Sequence, residues 1–200
     1  MKPLNYFILV LVLSFTPILA FGQNEDIPFY DYEQMDLSNE ATMPDADSKP
    51  EQVTITGKVL LSDGLTPAKN VILYLYQHDE NGEFQFETNN GKERLRHRTW
   101  VKTDDQGNYT FHTFVPGEAI VKLNYPRRYG PKQFYLVAKL PDSEDFALPA
   151  LMFEDDPLIS KNCKRRLKRK NIDCLISMEQ SDGKAVVKKD ITLPANDSVK

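Results

Sequence analysis

Residues 103–117 read TDDQGNYTFHTFVPG, which is a tight turn followed by a strand pattern. The turn lies at DDQG (104–107), where Gly107 can take the positive φ that such turns need. The next seven residues, NYTFHTF (108–114), are rich in the aromatic and β-branched residues typical of strands, and a Pro-Gly pair follows them. This stretch predicts a β-strand entered from a hairpin-type turn.

Short strand-forming runs separated by turn-forming residues continue along the chain in both directions. The turn-forming segments include DENG (79–82) and SDGK (181–184). Residues 70–77, NVILYLYQ, are apolar on both faces, as in a central strand, and the only competing helical pattern is ISKNCKRRLKRKN (159–171). The pattern predicts an all-β protein, an antiparallel β-sandwich or barrel. The other strand candidates are VTITGKVLL (53–61), EFQFE (83–87), RTWVKT (98–103), EAIVKLN (118–124), KQFYLVAKL (132–140), DCLISME (173–179) and AVVKKDITL (185–193).

The N-terminus has the pattern of an export signal. One Lys precedes an apolar run, and small residues at Ala20 and Gly22 predict cleavage between Gly22 and Gln23, so residues 1–22 are interpreted as a signal peptide. An uncleaved signal anchor is the alternative. We expect an exported protein, periplasmic or extracellular, without a membrane span after cleavage. Its net charge of −4 and pI near 5.5 argue against a general nucleic-acid binder.

The chain divides by composition into a leader, one domain and a short tail. Between residues 24 and 52 lie nine acidic residues against the single Lys49, so residues 23–52 are expected to be a flexible acidic leader. Residues 53–195 form the predicted sandwich domain. Residues 196–200 are the tail.

Two cysteines, Cys163 and Cys174, bracket a strongly basic segment. In an oxidising compartment they are expected to form a disulfide that closes this loop, because a thiolate metal pair would call for a CxxC spacing or a nearby His. The loop is interpreted either as a contact for an anionic surface or as a solvated loop partly neutralised by residues 154–156. Its cations are Lys164, Arg165, Arg166, Lys168, Arg169 and Lys170.

The order of these pieces resembles the intradiol ring-cleavage dioxygenases, the family of the protocatechuate and catechol dioxygenases. The resemblance covers about residues 53–193 and is best in TDDQGNYTFHTFVPG. The wider pattern is shared with transthyretin-like and carboxypeptidase-regulatory-like sandwich modules. Membership would imply a non-haem Fe(III) site held by two tyrosines and two histidines, at which a catechol is chelated and dioxygen attacks its ring.

The resemblance places the four ligand positions at residues that differ from the family pattern. The first Tyr position holds Phe84, and the second holds Ala119. The histidine pair falls on Gln133 and Tyr135, which should project from the same face of a strand while Phe134, Leu136 and Ala138 enter the core. The family's substrate-holding Arg is Gly130 here. Phe and Ala cannot coordinate iron, and a Gln amide is a poor ferric ligand.

Three functions follow from this comparison. The first is a non-catalytic binding or structural module, with no cofactor, for a small aromatic, sugar or anionic ligand. The second is an active dioxygenase with displaced Fe(III) ligands, drawn from Tyr125, Tyr129 or Tyr135 and from His97 or His112. The third is a transthyretin-like docking module that binds a component of the cell envelope. The ligand-binding candidates are Phe84, Arg127, Arg128, Tyr129, Gln133 and Tyr135.

Overall fold

Two six-stranded sheets form the body of the molecule, in a computed structural model that describes residues 28–89, 91–121, 128–181 and 184–195. Short 3-10 turns span Pro28–Gln34 and Ala46–Ser48, and helix α1 spans Lys161–Arg169. Among the described residues, no helix has both the length and the apolar character needed to cross a membrane. The strands are β1 (Glu40–Thr42), β2 (Gln52–Leu60), β3 (Ile72–Gln77), β4 (Phe86–Asn89), β5 (Lys92–Leu95), β6 (Arg98–Lys102), β7 (Asn108–Phe114), β8 (Ala119–Val121), β9 (Arg128–Gly130), β10 (Gln133–Lys139), β11 (Asp145–Ala147), β12 (Leu151–Phe153), β13 (Leu175–Ile176), β14 (Glu179–Ser181), β15 (Lys184–Lys188) and β16 (Ile191–Thr192).

The sheets are mixed, whereas the sequence predicts antiparallel pairing throughout. One sheet has the order β1-β7-β2-β15-β14 with β16 beside β2, and the other has β13-β12-β10-β3-β6 with β11 beside β10. The pairs β1/β7, β2/β15, β2/β16 and β12/β13 are parallel. These strands are joined by long connections rather than by hairpins, and such connections permit parallel pairing. The all-β prediction is confirmed, and the purely antiparallel one is wrong.

One buried cluster receives side chains from both sheets. In β10 the exposure alternates as expected, with Phe134, Leu136 and Ala138 buried in the cluster. Strand β3 lies between β10 and β6 and has no exposed residue, which confirms the central position predicted for it. Its last residue, Gln77, donates to the Phe114 carbonyl (2.9 Å) and accepts from Thr113 (2.6 Å), so β3 and β7 are joined across the two sheets.

The described part of the acidic leader is packed on the domain, which corrects the expectation of a flexible segment. Strand β1 pairs with β7, and Met43 and Ala46 lie in the main buried cluster. Tyr32 and Leu37 pack against Tyr74 and Trp100 of the second sheet. The segment has few apolar residues, but Tyr32, Leu37, Met43 and Ala46 all pack against the domain. Composition alone therefore underestimates how ordered the segment is.

Arginines of the β5–β6 region neutralise the leader's carboxylates. Asp31 accepts from Arg94 (2.9 Å) and lies 3.6 Å from Arg98, and both arginine side chains are almost completely buried. Asp45 accepts two hydrogen bonds from Arg96, at 2.6 and 2.8 Å. Paired bonds between a guanidinium and a carboxylate have a fixed geometry, which holds the leader in one place.

The basic segment is helix α1 rather than a disulfide-closed loop. The Ser160 hydroxyl caps it by accepting from the Cys163 N–H (3.2 Å), as expected for a serine at this position. Cys163 lies half-buried on the helix and Cys174 is buried just before β13, and both are free thiols. The predicted disulfide is therefore absent from the structure. Cys163 lies in the first turn of α1, near enough to Cys174 to contribute to the raised pKa of that thiol.

The free thiols give a measurable expectation. In native protein without reductant, an aromatic disulfide reagent should label Cys163 quickly and Cys174 slowly, because burial raises the pKa of the Cys174 thiol and limits access to it. Full denaturation should expose both thiols, and Cys163→Ser should remove the fast phase alone. Absence of any reactive thiol in denatured, unreduced protein would instead establish the disulfide.

Candidate functional site

A row of aromatic side chains covers the outer face of the second sheet. Alternate residues of β3 project there, and the strand register places Tyr74 opposite Trp100 and Tyr76 opposite Tyr135. Successive ring centroids lie 4.9 Å (Trp100–Tyr74), 5.3 Å (Tyr74–Tyr76) and 4.9 Å (Tyr76–Tyr135) apart, all in stacked arrangements. We call these four rings, with Phe84 and His78, the aromatic row.

Three of the four predicted ligand positions meet at one end of this row. The ring of Phe84 is stacked on His78 at 4.0 Å and tilted against Tyr135 at 5.7 Å. The edge of His78 meets Tyr135 at 5.6 Å. Gln133, two residues before Tyr135 on β10, donates a hydrogen bond to the Tyr135 hydroxyl. The same-face prediction for Gln133 and Tyr135 is thus confirmed.

The turn at residues 79–83 fixes Phe84 in this position. The buried Asp79 carboxylate accepts from the backbone N–H groups of Asn81 and Glu83 (2.9 Å each) and from the Gln85 amide (2.7 Å). Gly82 has φ +84°, and a Cβ there would lie 1.8 Å from the Glu118 carbonyl oxygen. Only glycine satisfies both conditions, so the turn can pack directly on the segment that leads into β8.

Ala119, the fourth position, lies in β8 and is paired with Gly130 of β9. It is buried, and the next residue, Ile120, donates its N–H to the Gly82 carbonyl (3.0 Å). Ala119 is therefore held close to the turn before Phe84. Its methyl group offers no donor atom to a metal or ligand.

The cluster around Tyr135 carries no charge near neutral pH. Burial raises the pKa of Tyr135, and the hydrogen bond from Gln133 only partly opposes this. Burial also raises the pKa of Tyr76 and lowers the pKa of His78. The phenols remain protonated and the imidazole remains neutral.

The remaining predicted residues lie elsewhere or outside the described part of the chain. Tyr125 and Arg127 belong to the latter group. Arg128 and Tyr129 are exposed on β9, and Tyr129 lines a separate cleft of about 450 Å³ with Lys49, Glu80 and Lys132. None of the ring contacts of the aromatic row involves Tyr129.

The two histidines proposed as displaced ligands are engaged away from Tyr135. His97 is buried edge-on to Phe114, and its Nε2 lies 3.5 Å from an Asp45 oxygen. His112 lies on the outer face of the other sheet between Thr54 (3.1 Å) and Glu40 (2.5 Å). Sequence reasoning overlooked His78, although Tyr74, Tyr76 and His78 alternate along one strand and its continuation.

A sequence model of the family described as "Dioxygenase" matches residues 26–180 of the chain, which is most of its length. The chain belongs to the intradiol dioxygenase family. Three solved structures of that fold are similar to it. They are the dioxygenase domain of a carbohydrate-binding fusion protein from Streptomyces sp. SirexAA-E (21% identity, TM-score 0.53), 3-chlorocatechol 1,2-dioxygenase from Rhodococcus opacus 1CP (21%, 0.59) and catechol 1,2-dioxygenase from Pseudomonas arvilla C-1 (14%, 0.60).

Because the sequence identities to these three structures are only 14–21%, the similarity to them shows the fold alone. The alignments cover 74, 76 and 81% of this chain and 83, 63 and 59% of the respective structures. The chain thus spans less than two thirds of the Rhodococcus and Pseudomonas enzymes. A comparison with curated protein sequences finds no match.

The donor set does not fit the ferric centre that intradiol dioxygenases imply. Of the four predicted ligand positions, only Gln133 and Tyr135 have polar side-chain atoms, and those atoms bond to each other. Within the ranges that the structure describes, no three His, Cys, Asp or Glu side chains gather as a metal site.

Proposed function

We propose that this intradiol-dioxygenase family member is a non-catalytic binding module and that its site is the Tyr135 end of the aromatic row. The observation that carries the proposal is the convergence of Phe84, Gln133 and Tyr135 in one neutral cluster. The family scaffold brings these positions together, but they supply rings and an amide in place of metal ligands.

The ligand class follows from the same chemistry. Tyr76, Phe84 and Tyr135 are half-buried, so their rings offer partly open faces, while the Gln133 amide carries a carbonyl acceptor. Partly open rings beside one amide suit a neutral planar aromatic or a sugar ring. The absence of a resident charge in this cluster makes an anion a poorer candidate.

We also propose that the protein is exported and acts in the cell envelope, in the periplasm or outside the cell. The support is the charged, apolar and small-residue order of residues 1–22. Mass analysis of the protein recovered from cell fractions tests this, because cleavage before Gln23 is expected. Full-length protein retained in the cytoplasmic fraction would contradict it.

Iron loading is the test of the non-catalytic proposal. Untagged protein incubated with Fe(III) and then desalted should be colourless, hold far less than stoichiometric iron and consume no oxygen with catechol. A red-brown protein with stoichiometric iron and catechol-dependent oxygen uptake would establish the second candidate, an active dioxygenase with displaced ligands. The sequence suggested His97 or His112 as the imidazole of such a site, but His78 is the histidine that contacts Tyr135, so a displaced-ligand site at Tyr135 would use His78.

Ligand binding tests the site itself. A panel of catechols and simple sugars should include a binder whose affinity falls about tenfold in Tyr135→Ala, since a lost ring contact costs about 1 kcal/mol or more. Tyr129→Ala, which removes an exposed ring from the other cleft, is the matched control and should leave affinity unchanged. Equal losses in both variants would place the site elsewhere.

A further inference from the structure

Helix α1 and the residue after it present seven cations and no acid over ten residues. At 1.5 Å per residue, the nine helical residues span only about 13 Å. We call this set the basic helix surface. It consists of Lys161, Lys164, Arg165, Arg166, Lys168, Arg169 and Lys170.

Within the part of the chain that the structure describes, no ion pair neutralises this surface. Two acids near the helix have other partners: Asp156 accepts from the N–H groups of Lys132 and Leu158 (2.8 Å each), and Asp173 pairs with Lys189 (2.6 Å). The interpretation of a loop neutralised by its neighbours is thus unsupported for Asp156.

The helix turns most of its cations outward. Cys163 and Leu167, four residues apart, are half-buried on one side, and Lys164 lies beside them. The other six cations are exposed. Two residues before the Ser160 cap, Leu158 is also exposed, with 42% of its surface accessible. The surface therefore combines a dense positive array with one apolar side chain at its edge.

We propose that the basic helix surface docks on a membrane that carries anionic phospholipid headgroups. The exposed cations of the basic helix surface can pair with the phosphates of several lipid headgroups, and the flanking Leu158 can enter the interfacial layer of the membrane. Residues 157–173 contain no aromatic side chain to stack on a sugar or a base, which disfavours a polysaccharide or a nucleic acid. Because the net charge of the whole protein is −4, attraction to an anionic membrane must come from this face and not from the protein as a whole. The surface lies outside the aromatic row, so the two sites are independent.

Vesicle binding with a charge-matched control tests this proposal. The probe is vesicles of phosphatidylglycerol and phosphatidylcholine compared with pure phosphatidylcholine, which also controls for apolar contacts made by the N-terminal residues. The test variant is R165Q/R166Q/K168Q/R169Q, which retains good helix formers. The control is K58Q/K69Q/K102Q/K184Q, which removes the same charge from exposed lysines elsewhere.

The expected result is cosedimentation of the protein with anionic vesicles only, weakened by added salt. Since each basic side chain near an anionic surface strengthens binding roughly fivefold, the helix variant should bind more than about 100-fold more weakly, and the control variant close to wild type. Thermal unfolding midpoints verify that both variants are folded. The proposal is overturned if the wild-type protein does not bind anionic vesicles or if both variants lose binding equally. It is also overturned if duplex DNA at equal phosphate concentration displaces the vesicles.

Discussion

Gly82→Ala is expected to lower the free energy of unfolding by about 3–5 kcal/mol. The residue has φ +84°, and its new Cβ would stand 1.8 Å from the Glu118 carbonyl oxygen, which is backbone and cannot swing aside. The contact is held from both sides, because Ile120 donates to the Gly82 carbonyl and Gly117 donates to the Asp79 carbonyl (2.8 Å). Relief of the clash requires β8 and the turn to separate, which also displaces Phe84.

Urea denaturation measures this loss, and the chain offers a close control. Gly64 also has positive φ (+69°), but nothing lies within 4 Å of a Cβ built there. Gly64→Ala should cost about 1 kcal/mol, the backbone cost alone. If the two variants lose equal stability, the close approach of Glu118 to Gly82 is not a constraint on the fold.

Asp79→Asn is expected to cost about 2–4 kcal/mol at neutral pH. The carboxylate accepts two backbone N–H groups and the Gln85 amide while buried, and an Asn side chain can reproduce only part of this set. Denaturant titration of both proteins gives the difference. Asp63 has a similar pattern of bonds from Leu65 and Thr66 but is exposed, so Asp63→Asn should have a much smaller effect.

The effect of Asp79 should depend on pH. Burial is the largest influence and opposes ionisation, but the hydrogen bonds from Glu83, Gln85 and Asn81 together outweigh it, so the pKa of Asp79 lies below its usual value. A lowered pKa in the folded state stabilises the fold above the pKa of the unfolded state, about 3.9, and this stabilisation is lost as pH falls toward the folded-state value. The stability gap between wild type and Asp79→Asn should be constant above about pH 5 and shrink below about pH 4. A gap that widens on acidification would contradict this assignment.

The central strands could be read from the sequence because their patterns are local and strong. Strand β7 has the predicted bounds, and β10 alternates as predicted because Phe134, Leu136 and Ala138 all face one core. Strand β11, with the sequence DFA at 145–147, was not predicted, because three residues carry too little periodicity. The parallel pairing of β1 with β7 joins residues 70 positions apart, so no local sequence pattern predicts it.

The leader was misread because its acidic residues were counted as solvated charges. Asp31 and Asp45 meet Arg94 and Arg96, which lie far along the chain, and composition does not report such pairs. At the site, the family resemblance and the two-residue strand period together located Gln133 and Tyr135. His78 was not among the candidates because its partners, Tyr135 on β10 and Phe84 in the turn after β3, are brought to it by the fold and not by spacing along the chain.

The arginine contacts of the leader set an order of folding. Asp31 and Arg94 are 63 residues apart, and the β1–β7 pairing joins residues 70 apart. Contacts of such separation form only after a large loop has closed. During synthesis Asp31 therefore lacks its partner until the chain has reached β5, and β1 lacks its partner strand until the chain has reached β7.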